Sequence, residues 1–271
     1  MKDDLDISIL LPTRGRTEML DDSLTSLVDL ARHPENIELL LMFDDDDDVS
    51  FTWFQENIQS KIEDVGATFT CWKTSRLGYE NLHQYVNWLA SKAKGRWLMF
   101  WNDDAKMLTK NWDDHIRNVT AFRVLRMPTH NEHPYAIFPI VPAEWYEIFG
   151  YLSLHQLSDA WISQIAYMTD IVENIPVEVL HDRHDLTGNN KDDTFEERVI
   201  LEGKPSDPRD FNHITNRQRR MSDAQKLSKV LESQGYDMSW FNDVLSGKQD
   251  PWAKMTGPEY DPNRQLMVWK R

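Results

Sequence analysis

LLLMFDDDDDVSF, Leu39–Phe51, runs five apolar residues straight into five aspartates. The apolar part has no alternating polar positions, which is the pattern of a short strand buried on both faces rather than half-exposed. Five adjacent carboxylates have several possible uses: holding a metal, contacting a ligand, capping a helix, or keeping a surface wet. They cannot all face one ligand, because like charges this close resist joint burial. Asp47 and Asp48 fall where the next helix should begin, and carboxylates there meet free N–H groups and the positive end of the helix dipole.

The same grammar repeats on both sides. ISILLP before it reads as a buried strand, and ATFTCW and RWLMFW after it as further strands. Between them, TEMLDDSLTSLVDLAR places Leu20, Leu24, Leu27 and Leu30 at helical spacing. VSFTWFQENIQSKIEDVG and GYENLHQYVNWLASKAKG each end a helical stretch on glycine, at Gly66 and Gly95. Alternating strands and helices with apolar strand runs predict an α/β fold with a mostly parallel central sheet flanked by helices. Further on, NWDDHIRNVTAFRVLR reads as a helix, YAIFPIVP as a strand, SDAWISQIAYMTDI as a helix and NIPVEVLH as a strand. After Gly203 the Pro- and Asp-punctuated text predicts an irregular and helical C-terminal appendage around SDAQKLSKVLESQG. The expected division is 1–204 for the α/β domain, split at 104 into two halves, and 205–271 for the extension.

Composition narrows the classes. The 271 residues carry a formal charge of -15, which on average repels nucleic acid. One cysteine, Cys71, excludes an intrachain disulfide and a CxxC metal site. The N-terminal stretch lacks a signal-peptide core, and no run approaches the ~20 apolar residues of a membrane span. A soluble, cytoplasmic protein is expected.

Ligands of open parallel sheets bind beyond the carboxyl ends of the strands. Three such ends stand out: PTRGR after the first strand, the aspartate run after the second, and NDDA after the fourth. Neither GxGxxG nor GxxxxGK[ST] occurs, so the sheet end offers carboxylates instead of a glycine-rich phosphate cradle. A nucleotide diphosphate could bind there through Mg²⁺ or Mn²⁺, which favour oxygen ligands completed by phosphate and water.

ISILLPTRGR, LLLMFDDDDD and LMFWNDDA, in this order, resemble the nucleotide-sugar-binding half of GT-A glycosyltransferases of the family 2 type. The resemblance spans about Ile7–Asp104 well and reaches more loosely to Glu197. It implies a nucleotide-sugar donor, a UDP-sugar by preference, and Mn²⁺ or Mg²⁺ as cofactor. Pro12, Thr13 and Arg14 would hold the nucleoside, and Asp44, assisted by Asp45, would accept a hydrogen bond from the uracil ring. Arg76 would lie near the phosphates, with Gly78 where the backbone turns close by. NDDA resembles the DXD element, with Asp103 on the ribose and Asp104 on the metal; Asn102 departs from the usual Asp. A plain turn after a strand is the alternative for this segment. Asp159 stands where inverting members carry the base, though Ser158 replaces a frequent acid, and Ser-Asp is also a common helix cap. His181 and His184 are equal candidates to complete the metal shell, with Arg183 and Lys191 able to pair with phosphate. The acceptor implied is a saccharide or another hydroxyl compound. A modified DNA base is conceivable because NRQRRMSDAQKLSK is locally basic, although a solvated helix face explains that stretch as well. A nucleotidyltransferase and a catalytically inactive GT-A binding module are the competing functions.

Overall fold

A computed structural model describes residues 5–129, 134–182 and 207–254, and the backbone of the paired strands Glu259–Asp261 and Leu266–Val268. The first half alternates as expected. Strand β1 (Ile7–Thr13) leads to helix α1 (Thr17–Leu30), β2 (Ile37–Asp44), α2 (Asp48–Trp53), α3 (Gln59–Asp64), β3 (Thr68–Thr74), α4 (Leu82–Ala90) and β4 (Trp97–Phe100). A π turn over Phe54–Ile58 joins α2 to α3, so the predicted single helix is continuous but locally widened. It closes at Gly66, whose φ of +85° suits glycine.

The second half continues with β5 (Ala105–Met107), α5 (Trp112–Arg117), β6 (Val124–Arg126), β7 (Ile140–Pro142), α6 (Ala143–Phe149), α7 (Ser158–Met168), β8 (Val172–Asn174), β9 (Val179–His181), α8 (Ile214–Ser233) and α9 (Ser239–Leu245). Seven strands form one sheet in the order β3-β2-β1-β4-β7-β6-β8. All its pairings are parallel except those of β7, which runs against β4 and β6. A separate antiparallel ladder joins β5 to β9.

The period of two divides each apolar run between two cores. Ile7, Ile9, Leu11, Leu39, Leu41 and Phe43 pack with Leu20, Leu24 and Leu27 of α1 and with Phe54, Ile58 and Ile62. Leu10, Leu40, Met42, Leu98 and Phe100 face the other way, onto Tyr85, Val86 and Leu89 of α4 and onto Trp161 and Ile165 of α7. Burial of each such side chain contributes about 1.5–3 kcal/mol. The same second core takes in Ala224, Leu227 and Leu231 of α8 and Phe241 of α9, so the C-terminal helices rest on the α7 side of the sheet. Among the described residues no helix is long and apolar enough to cross a membrane.

Two expectations of the second half are corrected. The helix predicted over NWDDHIRNVTAFRVLR stops at Arg117, and its last residues form β6. Val119 and Thr120 are stiff, β-branched positions, and burial of Val124 and Leu125 between β7 and β8 outweighs helix propensity. The strand predicted over YAIFPIVP shortens to Ile140–Pro142, since Pro139 brings no N–H and only its carbonyl joins, accepting from Phe100 N at 3.1 Å.

Candidate active site

The chain steps from β1 outward to β2 and β3, then returns to place β4 on the opposite side of β1. The carboxyl ends of β1 and β4 therefore flank a topological switch point, the crevice where such sheets take ligands. Thr13, the last residue of β1, spans it by donating its hydroxyl to Asp103 Oδ2 at 2.8 Å. Asp103 and Asp104 form the turn between β4 and β5 and are both buried. Arg16 Nη1 donates to Asp103 Oδ1 at 2.8 Å and to Asp104 Oδ2 at 3.1 Å, so one guanidinium nitrogen serves two carboxylates. Burial raises the Asp103 pKa, opposed by the Arg16 charge and reinforced by that of Asp104.

Register places the histidine. In the β5–β9 ladder Ala105 pairs with His181, and Asp182 N donates to the Asp104 carbonyl at 2.8 Å. His181 is 4% exposed and its ring sits edge-on to Phe138 at 5.0 Å, which sets its orientation. Nε2 lies 3.4 Å from Asp104 Oδ1, yet neither ring nitrogen makes a hydrogen bond. Two donor atoms held close without bonding to each other have the disposition of neighbouring ligands of an octahedral cation, about 3 Å apart for bonds of about 2.1 Å. The pair thus fits Mn²⁺ or Mg²⁺. No group of three or more His, Cys, Asp or Glu suited to one ion occurs among the described residues. His184, Arg183 and Lys191 lie outside the described residues.

The five aspartates separate into five roles. Asp44, at the end of β2, is buried; its Oδ1 accepts from the Tyr85 hydroxyl and its Oδ2 from Arg14 Nη1 at 3.1 Å. Tyr85 in turn accepts from Leu77 N at 2.6 Å, and its phenol pKa is raised by burial and by the bond to Asp44. Asp45 is exposed and accepts from Ser75 at 3.1 Å. Asp46 binds Arg14 through both oxygens, which together with the more distant Arg76 charge lowers its pKa. Asp47 caps α2 by accepting from Ser50 N at 3.2 Å, and it also accepts from Gly15 N at 2.8 Å. Asp48 opens α2 and pairs with Lys73 at 2.5 Å.

Thus Thr13, Asp103, Asp104 and His181 meet at one point, and Arg14 with Asp44 meets beside it at the β1–β2 ends. Pro12 lies within β1, half-buried. Arg76 is exposed in the segment after β3, and Gly78 follows with a φ of +72° that only glycine adopts readily. Asp159 lies in the first turn of α7, half-buried. The cap position there is Leu157, so the Ser-Asp pair does not cap; Ser158 instead donates to the His155 carbonyl at 3.2 Å. Sequence reasoning missed Arg16 and Tyr85. A second arginine just past β1 was the available signal for Arg16; Tyr85 lies on an apolar helix stripe and carried none. The basic stretch of α8 is also thinner than its text, because Arg220 turns inward over Phe211 and donates to its carbonyl at 2.9 Å.

No family model matches the chain, and no curated protein matches it. Among solved structures it is similar to the mannosyltransferase PcManGT from Pyrobaculum calidifontis in complex with GDP-Man and Mn²⁺, with a TM-score of 0.55, 12% identity, and coverage of 89% of this chain and 79% of that one. A weaker likeness, with a TM-score of 0.49 and 12% identity, is to S. aureus TarS 1-349 in complex with UDP, covering 89% of this chain and 92% of that one. The mixed, mostly parallel sheet, its switch point and the likeness to the mannosyltransferase agree: the chain has the GT-A fold of nucleotide-sugar glycosyltransferases.

Proposed function

We propose that this protein is a metal-dependent glycosyltransferase that moves a sugar from a nucleotide-diphosphate donor, a UDP-sugar, to an acceptor hydroxyl with inversion. The observation that supports it most is the buried His181–Asp104 pair, close but not hydrogen-bonded, beside Asp103 at the switch point. Asp104 and His181 hold Mn²⁺ or Mg²⁺. When bound, the cation supplies charge stabilisation for the departing diphosphate. Thr13 and Asp103 face the ribose, Asp44 reads the base edge with Arg14, Pro12 and Asp45 around it, and Arg76 and Gly78 border the phosphates. The Asp159 carboxylate takes the proton of the acceptor hydroxyl as that oxygen bonds to the anomeric carbon. The bond from that carbon to the diphosphate oxygen breaks, and the nucleotide leaves with the electron pair. Residues 1–104 serve the donor and 105–204 the acceptor, a saccharide or other hydroxyl compound.

A panel of nucleotide sugars, scored for Mn²⁺-dependent thermal stabilisation and for donor hydrolysis, identifies the donor. Asp104→Ala should lower turnover by about 10³-fold or more, several kcal/mol of lost charge stabilisation. Asp159→Asn should keep nucleotide binding and lose about 10²–10⁴-fold in transfer. Full activity in excess chelator would overturn the metal-dependent mechanism.

A further inference from the structure

The hydroxyl of Tyr85 joins two parts of the site that come from different loops. It accepts from Leu77 N at 2.6 Å and donates to Asp44 Oδ1. The direction is fixed by chemistry: a backbone N–H can only donate and an ionised carboxylate can only accept, so the one phenol hydrogen belongs to Asp44. Resting on the glycosyltransferase reading, we propose that Tyr85 is a positioning residue for base selection, which aims the Asp44 carboxylate at the base edge and ties it to the loop bordering the diphosphate.

Asp44 has a partner on each oxygen, Tyr85 on Oδ1 and Arg14 on Oδ2. The two are not equivalent. Arg14 is shared with Asp46, whose side chain is 53% exposed and which engages both Nη1 and Nη2. An ion pair that wet is screened and holds its geometry loosely. Tyr85 is buried, and α4 sets it in the second core with Val86 and Leu89, so its hydroxyl has a fixed place. A buried hydroxyl donating to a carboxylate makes one of the stronger hydrogen bonds. Without it Asp44 is left to Arg14, whose other bonds run outward to Asp46. The loop end of the bridge is built as carefully. Leu77 lies between Arg76 and Gly78, and α4 grips it by both backbone polar atoms: Tyr85 takes its N–H, and Asn81 Nδ2 donates to its carbonyl at 3.0 Å. Asn81 and Tyr85 stand one helical turn apart, on the same face. A base N–H donating to Asp44 would therefore firm up the Tyr85 bridge and, through it, the loop beside the phosphates. Such coupling is reciprocal.

UDP and its N3-methyl analogue, which lacks the base N–H that Asp44 would accept, test this by calorimetry on the full chain with Mn²⁺. The wild type should prefer UDP. Tyr85→Phe should still bind both ligands and lose about tenfold of that preference. A tyrosine that only supports the fold would weaken both ligands alike and leave their ratio unmoved. Should the variant not fold, hydrogen exchange of the Leu77 amide in the wild type decides: saturating UDP should slow it about fivefold more than the saturating N3-methyl analogue does. An unchanged preference in folded Tyr85→Phe, or equal slowing by the two ligands in the wild type, would overturn the proposal and leave the glycosyltransferase reading intact. Equal binding of the two by the wild type, or binding of neither, would overturn the UDP-sugar reading with it.

Discussion

The central strands bury a carboxylate at each end, and the two ends treat it differently. At the amino ends, Glu38 accepts from the Ser8 hydroxyl at 2.5 Å and from Lys94 N at 2.6 Å, and Ser8 accepts from Gly95 N at 2.8 Å. The packing there is so close that a Cβ on Gly95 would lie 2.7 Å from Ser8 N and 2.8 Å from the Ile7 carbonyl carbon. At the carboxyl ends, Asp103 and Asp104 are held by Thr13 and Arg16, but the facing imidazole of His181 makes no hydrogen bond at either nitrogen. A buried polar group with its partners complete is structure; one left incomplete marks a place for something else. Burial alone does not separate these cases, since Glu38 and His181 are equally hidden. The bookkeeping of partners does.

That contrast can be broken or sharpened by mutation. Gly95→Ala strikes the closed end, where backbone must shift, and should cost about 3 kcal/mol in urea denaturation while leaving Mn²⁺ affinity unchanged. A loss of metal binding at full stability would show that the two ends are not independent. His155 is a second closed site: its Nδ1 accepts from Leu157 N at 3.1 Å, its Nε2 donates to the Arg209 carbonyl at 2.9 Å, and burial lowers its pKa to about 4. The unfolded chain takes up the proton first, with an ordinary histidine pKa of about 6.5, so stability falls as the pH drops from about 6.5 towards 4. The expected loss is about 2 kcal/mol, measured by denaturation at pH 7 and pH 4, and it should shrink in His155→Gln. The smallest effects divide the aspartate run itself. Asp47→Ala removes a helix cap and should cost about 1 kcal/mol, whereas Asp48→Ala breaks an exposed ion pair with Lys73 and should change stability by less than about 0.5 kcal/mol.

Strands β1, β2 and β4 were legible because each is an apolar run buried in the sheet, and the half-exposed edge strand β3 was marked by its β-branched and aromatic residues. The helix ends were read less well, since α4 stops at Ala90 and not at Gly95. Beyond Asn111 the elements shorten, and propensity loses to tertiary pairing, as in β6. In the site, the strand ends could be read from local text, and Asp47 and Asp48 fell at a helix start as their position suggested. Choosing His181 needed the β5–β9 register, which pairs segments far apart in the chain. Arg16 stayed hidden for a related reason: a surface turn and a buried acid pair share no local signal until the crossover from β3 to β4 sets them side by side.

The β5–β9 ladder has a kinetic consequence. Asp104 meets His181 only once β9 has returned to β5, a closure comparable in sequence length with the one that pairs β1 with β4. Pairings of such long sequence separation close slowly, because loop entropy is lost before contacts repay it. Neither the β1–β4 pairing that sets Thr13 against Asp103 nor the ladder that sets His181 against Asp104 is therefore an early event in refolding. On the proposed reading, Mn²⁺ capture would report chains in which both long closures are complete.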